Sequence, residues 1–177
     1  GHWAAVFVAI SCDTWCNALP VWLGGIMHPG NYSLLGVGVS FGVSAKALHP
    51  NRNVVVISGD GAFLSGGLSI ESAFQDNLPI TIVIDNNGGL DCISQQQERL
   101  FANGKHFATD FRDIPFHAMC EGLGGHGEIV ETRDQLAPAL QRAMASGKTA
   151  IVNVKCRGVI SPIVAATSDK RDKASIE

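Results

Sequence analysis

Short continuous apolar runs bounded by turn residues alternate along this chain with stretches in which apolar or small residues recur every three to four positions. The first run, residues 4–10 (AAVFVAI), breaks at Ser11, Cys12, Asp13 and Thr14 and predicts a buried strand ending in a loop. Residues 23–31 hold three glycines and Pro29 and read as irregular. Over 36–48, Gly38, Gly42 and Ala45 recur at helical spacing among Val and Phe, which predicts a helix lying close against a sheet; His49, Pro50 and Asn51 stop it. Residues 54–58 are a β-branched run of the kind buried on both faces, broken by Gly59-Asp60-Gly61. A helical pattern over 68–77 follows, with Ile70, Ala73 and Phe74 inward, then Pro79 and a second β-branched strand over 80–84. Further on the pattern predicts a helix at 113–121 and a short strand at 128–130. It then gives an amphipathic helix at 133–144 with Leu136, Leu140, Ala143 and Met144 on one face, and a last strand at 149–154. Beyond Arg157 no period holds, and the end carries alternating charges from Asp169 to Lys173.

Strands alternating with helices imply an α/β fold: a doubly wound, mainly parallel sheet with helices on both faces. No internal repeat or linker interrupts it, so residues 1–156 read as one binding domain and 157–177 as a C-terminal tail or lid. Ligands of such sheets sit at the carboxyl ends of strands, which directs attention to the loops after Ile10, Ser58 and Asp85.

Composition narrows the class. The 177 residues are 46% hydrophobic and 16% charged, as a globular chain is. Lys plus Arg number 13 against 16 Asp plus Glu, with no basic run before the tail, which argues against nucleic acid or an anionic membrane as partner. No apolar stretch reaches the roughly 18 to 20 residues of a membrane span. The apolar start has no basic lead or cleavage pattern, so a soluble, cytoplasmic chain is expected. Cys12, Cys16, Cys92, Cys120 and Cys156 are odd in number and sit mostly among apolar residues, which fits a reduced compartment. The Cys12/Cys16 pair has no second pair at finger-like spacing, so small buried or loop cysteines are favoured over a zinc site.

Two strand-end loops hold the chemistry. Gly59-Asp60-Gly61 lets backbone approach an anion and is expected to leave one carboxylate exposed, while Asp85-Asn86-Asn87-Gly88-Gly89 offers amide and carbonyl oxygens to a hard cation. Mg²⁺ takes near-octahedral oxygen ligation, usually one or two protein groups with phosphate oxygens and water. A carboxylate on one strand end and an amide on the next suit one metal shared with a diphosphate. Backbone N–H groups are expected from the glycine turns and from a helix starting near Ser65. A lone Gly-Asp-Gly or Asn-Gly is a common turn; their joint placement after successive β-branched strands carries the signal. Gly36-x-Gly38-x-x-x-Gly42 has the wrong spacing for a dinucleotide fingerprint and no strand directly before it.

The stretch from Gly59 to Asn87, with Asp60 and Asn87 27 positions apart, resembles the thiamine diphosphate signature of the acetolactate synthase and pyruvate decarboxylase branch. The similarity extends over most of the chain, including Leu35-Gly36-Val37-Gly38 and the pattern from Phe116 to Val154. It points to the diphosphate-binding domain of enzymes such as acetolactate synthase, oxalyl-CoA decarboxylase and 2-hydroxyacyl-CoA lyase. The resemblance implies that Asp60 and Asn87 bind Mg²⁺ through side chains and Gly89 through its carbonyl. It also implies that Gly59, Gly61 and Ala62 contact the diphosphate together with Asn87. Leu35 stands where the family has a large apolar residue that holds the cofactor in its bent conformation. Ser33, where Gly is more usual, would accept the cofactor's 4′-amino group through its carbonyl. The loop 12–15 matches the family only loosely.

The family's catalytic Glu, which acts at N1′ of the cofactor, lies on a separate pyrimidine-binding domain; Glu71 and Glu98, on this domain's own helix and loop, do not replace it. A pyrimidine-binding domain or subunit is therefore the expected partner, in an oligomer such as a dimer of pairs, with a 2-oxo acid or acyl-CoA as small-molecule substrate. Trp15, Leu19, Val21 and Trp22 are candidate interface residues. The alternative is a non-catalytic or regulatory fragment that retains the cofactor-binding fold. His28, His49, His106, His117 and His126 are scattered and read as surface or helix-boundary residues.

Overall fold

The computed structural model describes residues 5–10, 26–27, 34–101 and 104–159. Ser33, the 12–15 loop, Leu19, Val21, Trp22, His28 and the 160–177 tail lie outside them. In chain order the elements are β1 (Ala5–Ile10), β2 (Ile26–Met27), α1 (Val37–Leu48), β3 (Asn53–Gly59), α2 (Asp60–Gly66), a 3₁₀ turn (Gly67–Ser69), α3 (Ile70–Gln75) and β4 (Thr81–Asn86). There follow α4 (Asp91–Leu100), α5 (Phe116–Gly122), β5 (His126–Val130), α6 (Arg133–Ala145) and β6 (Ala150–Lys155). The chain divides into two compact units, residues 1–86 with 115–156, and residues 87–114 with 157–177.

The first unit is one sheet in the order β2-β1-β3-β4-β6-β5, with every neighbouring pair parallel. Paired residues share a face, so Val56, Ile82 and Ile151 line one side and Ile57, Val83 and Val152 the other. Helix α1 covers the first side at close range: a Cβ on Gly42 would strike Cγ2 of Val56. Helix–sheet packing thus accounts for Gly42, one of the glycines that mimic a dinucleotide motif. Helix α5 lies on the same side, where Phe116 is fully buried and meets the Phe63 ring edge-on at 5.5 Å. Helix α6 covers the other side, where Ala139 and Ala143 pack with Val130, Ala150 and Val152. The expected doubly wound parallel sheet with helices on both faces is the observed one.

Several boundaries differ from the sequence reading for local reasons. The helix expected from 113 begins at Phe116, because Pro115 disfavours helical backbone at Ile114 and serves as the N-cap. The pattern over 68–77 splits into a 3₁₀ turn and the short α3. The strand expected at 128 starts at His126, since Gly127 pairs with Ile151 although glycine is a poor strand former; a Cβ there would lie 2.5 Å from the His117 carbonyl oxygen. The two-residue β2 lies within the stretch read as irregular. Helix α6 is opened by a capping box in which Gln135 reaches back to the Thr132 N–H, and it accommodates Pro138.

In the second unit α4 was not expected. Its sequence, DCISQQQERL, has no apolar stripe, and among its residues only Ser94 is buried. Side-chain hydrogen bonds hold it instead. Gln97 accepts from the Phe107 N–H at 2.7 Å and donates to the Phe107 carbonyl at 3.2 Å, and Gln95 donates to the Val159 carbonyl at 2.7 Å. Glu98, read as a loop residue, lies on this helix.

On β5, Glu128 accepts two bonds from Arg142, at 2.8 and 2.7 Å, and one contact from His126 at 2.8 Å. The Arg142 guanidinium, aided by His126 and opposed by partial burial, holds the Glu128 carboxyl down at about 2, below its ordinary 4.5. A depressed folded-state value means that this stabilisation is complete above the unfolded value and fades as pH falls from about 4.5 toward 2. Glu128→Gln is expected to cost about 1 kcal/mol at neutral pH, the range of a half-exposed pair, and almost nothing near the bottom of that window. Urea denaturation of both proteins across the window checks this.

Candidate functional site

Strands β3 and β4 end together, with Gly59 paired to Asp85. From there the chain turns directly into α2: Gly59 is its extended N-cap and Asp60 its first residue. Asp60 is only 2% exposed, which corrects the expectation of an exposed loop carboxylate. The acid opens a helix, where the backbone dipole favours negative charge, and it accepts the Gly61 N–H at 2.7 Å. The helix expected near Ser65 therefore starts at Asp60. Ser65 sits near its end, with Oγ donating to the Gly61 carbonyl at 2.9 Å. Ala62 is buried in the same helix.

Leu35 is half exposed and immediately precedes Gly36, the N-cap of α1. Gly36 has φ +96°, and a Cβ there would lie 2.9 Å from the Gly66 nitrogen. A Cβ on Gly66 would in turn strike the Gly36 carbonyl. The turn that carries Leu35 and the helix opened by Asp60 thus touch backbone to backbone, and side chains on both glycines are excluded.

At the end of β4, Asn86 Nδ2 donates to Asn153 Oδ1 at 2.9 Å, and Asn153 Nδ2 lies 3.5 Å from His117 Nδ1. Asn153 has no exposed surface. The Cys156 N–H donates to the Asn86 carbonyl at 2.9 Å. Although Cys156 as a residue is exposed, its sulfur turns inward toward the Val154 carbonyl at 3.4 Å. Burial of the sulfur, followed by a hydrogen bond with Asp85 and the nearby charges of Asp85 and Asp60, pushes this thiol up to about 12. It stays protonated at neutral pH and is no nucleophile.

In the second unit, Asn87 to Leu90 is braced by the segment 109–111. The Leu90 N–H donates to the Thr109 carbonyl and the Phe111 N–H to the Gly88 carbonyl, both at 2.8 Å. Gly89 pairs with Asp110, and a Cβ on it would lie 2.5 Å from the Thr109 carbonyl oxygen. Among the described residues two buried side-chain oxygens have no hydrogen-bond partner, Asn87 Oδ1 and Thr109 Oγ1. An unpartnered buried carboxamide oxygen costs about 1–3 kcal/mol unless a ligand satisfies it. Here that oxygen belongs to the residue expected to bind a hard cation. His106 contacts Asp110 at 2.8 Å and Glu98 at 2.8 Å, and these hydrogen bonds, Asp110 first, raise its pKa.

Sequence reasoning passed over Asn153, and it read His117 only as a surface or helix-boundary residue. Asn153 is a polar residue inside the apolar run AIVNVK, and that exception to burial was the available signal. His117 carried no signal, because its partner is 36 positions away. Among the described residues no cluster of three or more His, Cys, Asp or Glu could hold a metal, and no helix is long and apolar enough to cross a membrane.

Residues 11–154 match the family model described as "Thiamine pyrophosphate enzyme, C-terminal TPP binding domain". The chain belongs to this thiamine diphosphate-binding domain family. Its relatives include the acetolactate synthase large subunit IlvG of Mycobacterium tuberculosis, 36% identical over 129 residues (72% of this chain, 23% of the relative). The 2-hydroxyacyl-CoA lyase of Arabidopsis thaliana is 32% identical over 148 residues, covering 81% of this chain and 25% of the relative. Oxalyl-CoA decarboxylase of Escherichia coli is 33% identical over 140 residues, covering 78% and 24%. The chain thus spans about a quarter of the length of these curated relatives.

Within this thiamine diphosphate-binding domain, Gly36→Ala combines a disfavoured φ with a clash against backbone that cannot move aside. It is expected to destabilise the fold by about 1–3 kcal/mol, which chemical denaturation would read.

Proposed function

We propose that this chain is the diphosphate- and Mg²⁺-binding half of a thiamine diphosphate-dependent C–C lyase or carboligase. Its substrates would be 2-oxo acids or 2-hydroxyacyl-CoA, and a pyrimidine-binding domain on another chain or segment would complete its active site. The observation that carries this reading is the buried, unpartnered Oδ1 of Asn87, in a chain whose family binds the cofactor. An oxygen acceptor without a donor suits a hard cation.

In this reading Asp60 and Asn87 hold Mg²⁺ through their side chains and Gly89 through its carbonyl. Gly59, Gly61 and Ala62 line the diphosphate, with Ser33 and Leu35 toward the rest of the cofactor. The Gly61 N–H is occupied by Asp60 Oδ1. The second carboxylate oxygen, Oδ2, would be the one to face a cation, and the Gly61 N–H bond would keep the carboxylate oriented. Leu35, half exposed and apolar, packs against the cofactor and keeps it bent. Bound thiamine diphosphate supplies an electron sink for cleaving or forming a bond beside a carbonyl carbon. The chain's own residues supply position and charge neutralisation. The proton handling at N1′ belongs to a Glu of the pyrimidine-binding domain. The assembly would be an oligomer, and its chemistry would be of the kind its relatives are named for: synthase, lyase or decarboxylase.

Because Asp60 is buried, the isosteric Asp60→Asn tests the metal role with least disturbance. Mg²⁺-dependent affinity for thiamine diphosphate, measured by calorimetry on the complete assembly, is expected to fall at least roughly ten-fold. Unchanged affinity would remove Asp60 from the site. The chain alone, supplied with Mg²⁺, thiamine diphosphate, 2-oxo acids and 2-hydroxyacyl-CoAs, is expected to show no turnover. Adding the pyrimidine-binding domain should restore it, and mutating that domain's Glu should abolish it again. Turnover by the chain alone would show that the catalytic acid lies within it, whereas inactivity of the complete assembly would favour a non-catalytic fragment.

A further inference from the structure

We propose that Asn153 is a positioning residue for the cation site: it fixes Asn86, and through the next peptide bond it sets the direction in which Asn87 presents its carboxamide oxygen. This rests on the reading of Asn87 as a cation ligand.

Asn153 is out of place by composition. It lies on β6 between Val152 and Val154, has no exposed surface, and shares a sheet face with Ile151, Ile82 and Val56. A carboxamide in such a layer is costly unless both its ends are hydrogen-bonded, and Val or Ile would pack there without that cost. Both ends are used. The oxygen accepts from Asn86 Nδ2 at 2.9 Å, and the nitrogen faces His117 Nδ1 on α5 at 3.5 Å. In either amide orientation the pair presents one donor to one acceptor, so Asn153 ties Asn86 to β6.

The bond is also displaced along the sheet. The in-register neighbour of Asn153 is Ile84, yet its partner is Asn86, two residues nearer the strand end. Asn86 is additionally held by its main chain, whose carbonyl accepts the Cys156 N–H at 2.9 Å. The last residue of β4 is therefore anchored by both side chain and backbone. The next residue, Asn87, has an oxygen with no hydrogen bond to hold it. Its backbone follows directly on Asn86, which the buried Asn153 side chain holds.

The test uses the complete assembly with thiamine diphosphate. Mn²⁺, another oxygen-preferring divalent ion, is titrated in place of Mg²⁺ and followed by electron paramagnetic resonance of the free ion. Asn87→Ala should abolish tight Mn²⁺ binding. Asn153→Leu, similar in volume but with no acceptor, should weaken it by roughly ten-fold or more while circular dichroism stays native. Asn153→Asp keeps an acceptor for Asn86 and should stay much closer to wild type. A purely structural role would lower the melting temperature equally with and without Mn²⁺, whereas positioning shrinks the Mn²⁺-induced rise.

If Asn87→Ala loses Mn²⁺ while folded Asn153→Leu binds like wild type, the positioning role is overturned and the metal reading stands. If Asn87→Ala binds like wild type, the metal reading fails and the positioning role falls with it. Should Asn153→Leu not fold, His117→Leu removes only the outer link. Weakened Mn²⁺ binding in that variant supports the proposal, and wild-type affinity overturns it.

Discussion

The proposed site depends on one constraint, the parallel ladder between β3 and β4, which brings both strands to the same edge with Gly59 opposite Asp85. In a parallel pair both chains leave the sheet at the same end. A residue leaving one strand is then beside a residue leaving the next, however far apart they are in sequence. Two devices keep that edge compact. β3 passes through Gly59 into α2 with no intervening loop, which buries Asp60 at a helix start. On the other flank β6 runs beside β4 to its last residue, Asn86 pairing with Lys155, and supplies Asn153.

This architecture was largely legible because its signals were local. The β-branched runs at 54–58 and 80–84 cannot alternate with water, so they had to be strands covered on both faces. Gly42 read as a contact position because only a residue without a side chain lets α1 approach Val56. The illegible parts drew their stability from elsewhere in the chain. Helix α4 has no apolar face, and what orders it is the reach of Gln97 and Gln95 to Phe107 and Val159. The burial of Asp60 was hidden too, since Gly-Asp-Gly reads equally as an open turn or as a strand running straight into a helix. Asn86, Asn153 and His117 form a chain spanning three elements, and no spacing rule connects residues 67 and 36 positions apart.

The buried polar groups divide according to whether the fold satisfies them. Asn86 and Asn153 satisfy each other, and so they stiffen the strand end at modest net cost. Asn87 Oδ1 and Thr109 Oγ1 have no such partner. Sites where the fold leaves buried polar atoms unsatisfied are where function overrides stability. Both atoms lie in the short brace formed by Asn87 to Leu90 and residues 109–111, where Gly89 leaves no room for a Cβ.

The donor types also argue for the class of ion. The sulfur of Cys156 lies against the Val154 carbonyl at 3.4 Å and is not among the proposed ligands. The proposed set of one carboxylate, one carboxamide oxygen and one backbone carbonyl consists of hard oxygens and carries a single negative charge. A divalent cation held by it keeps a net positive charge, which an anionic diphosphate is suited to neutralise.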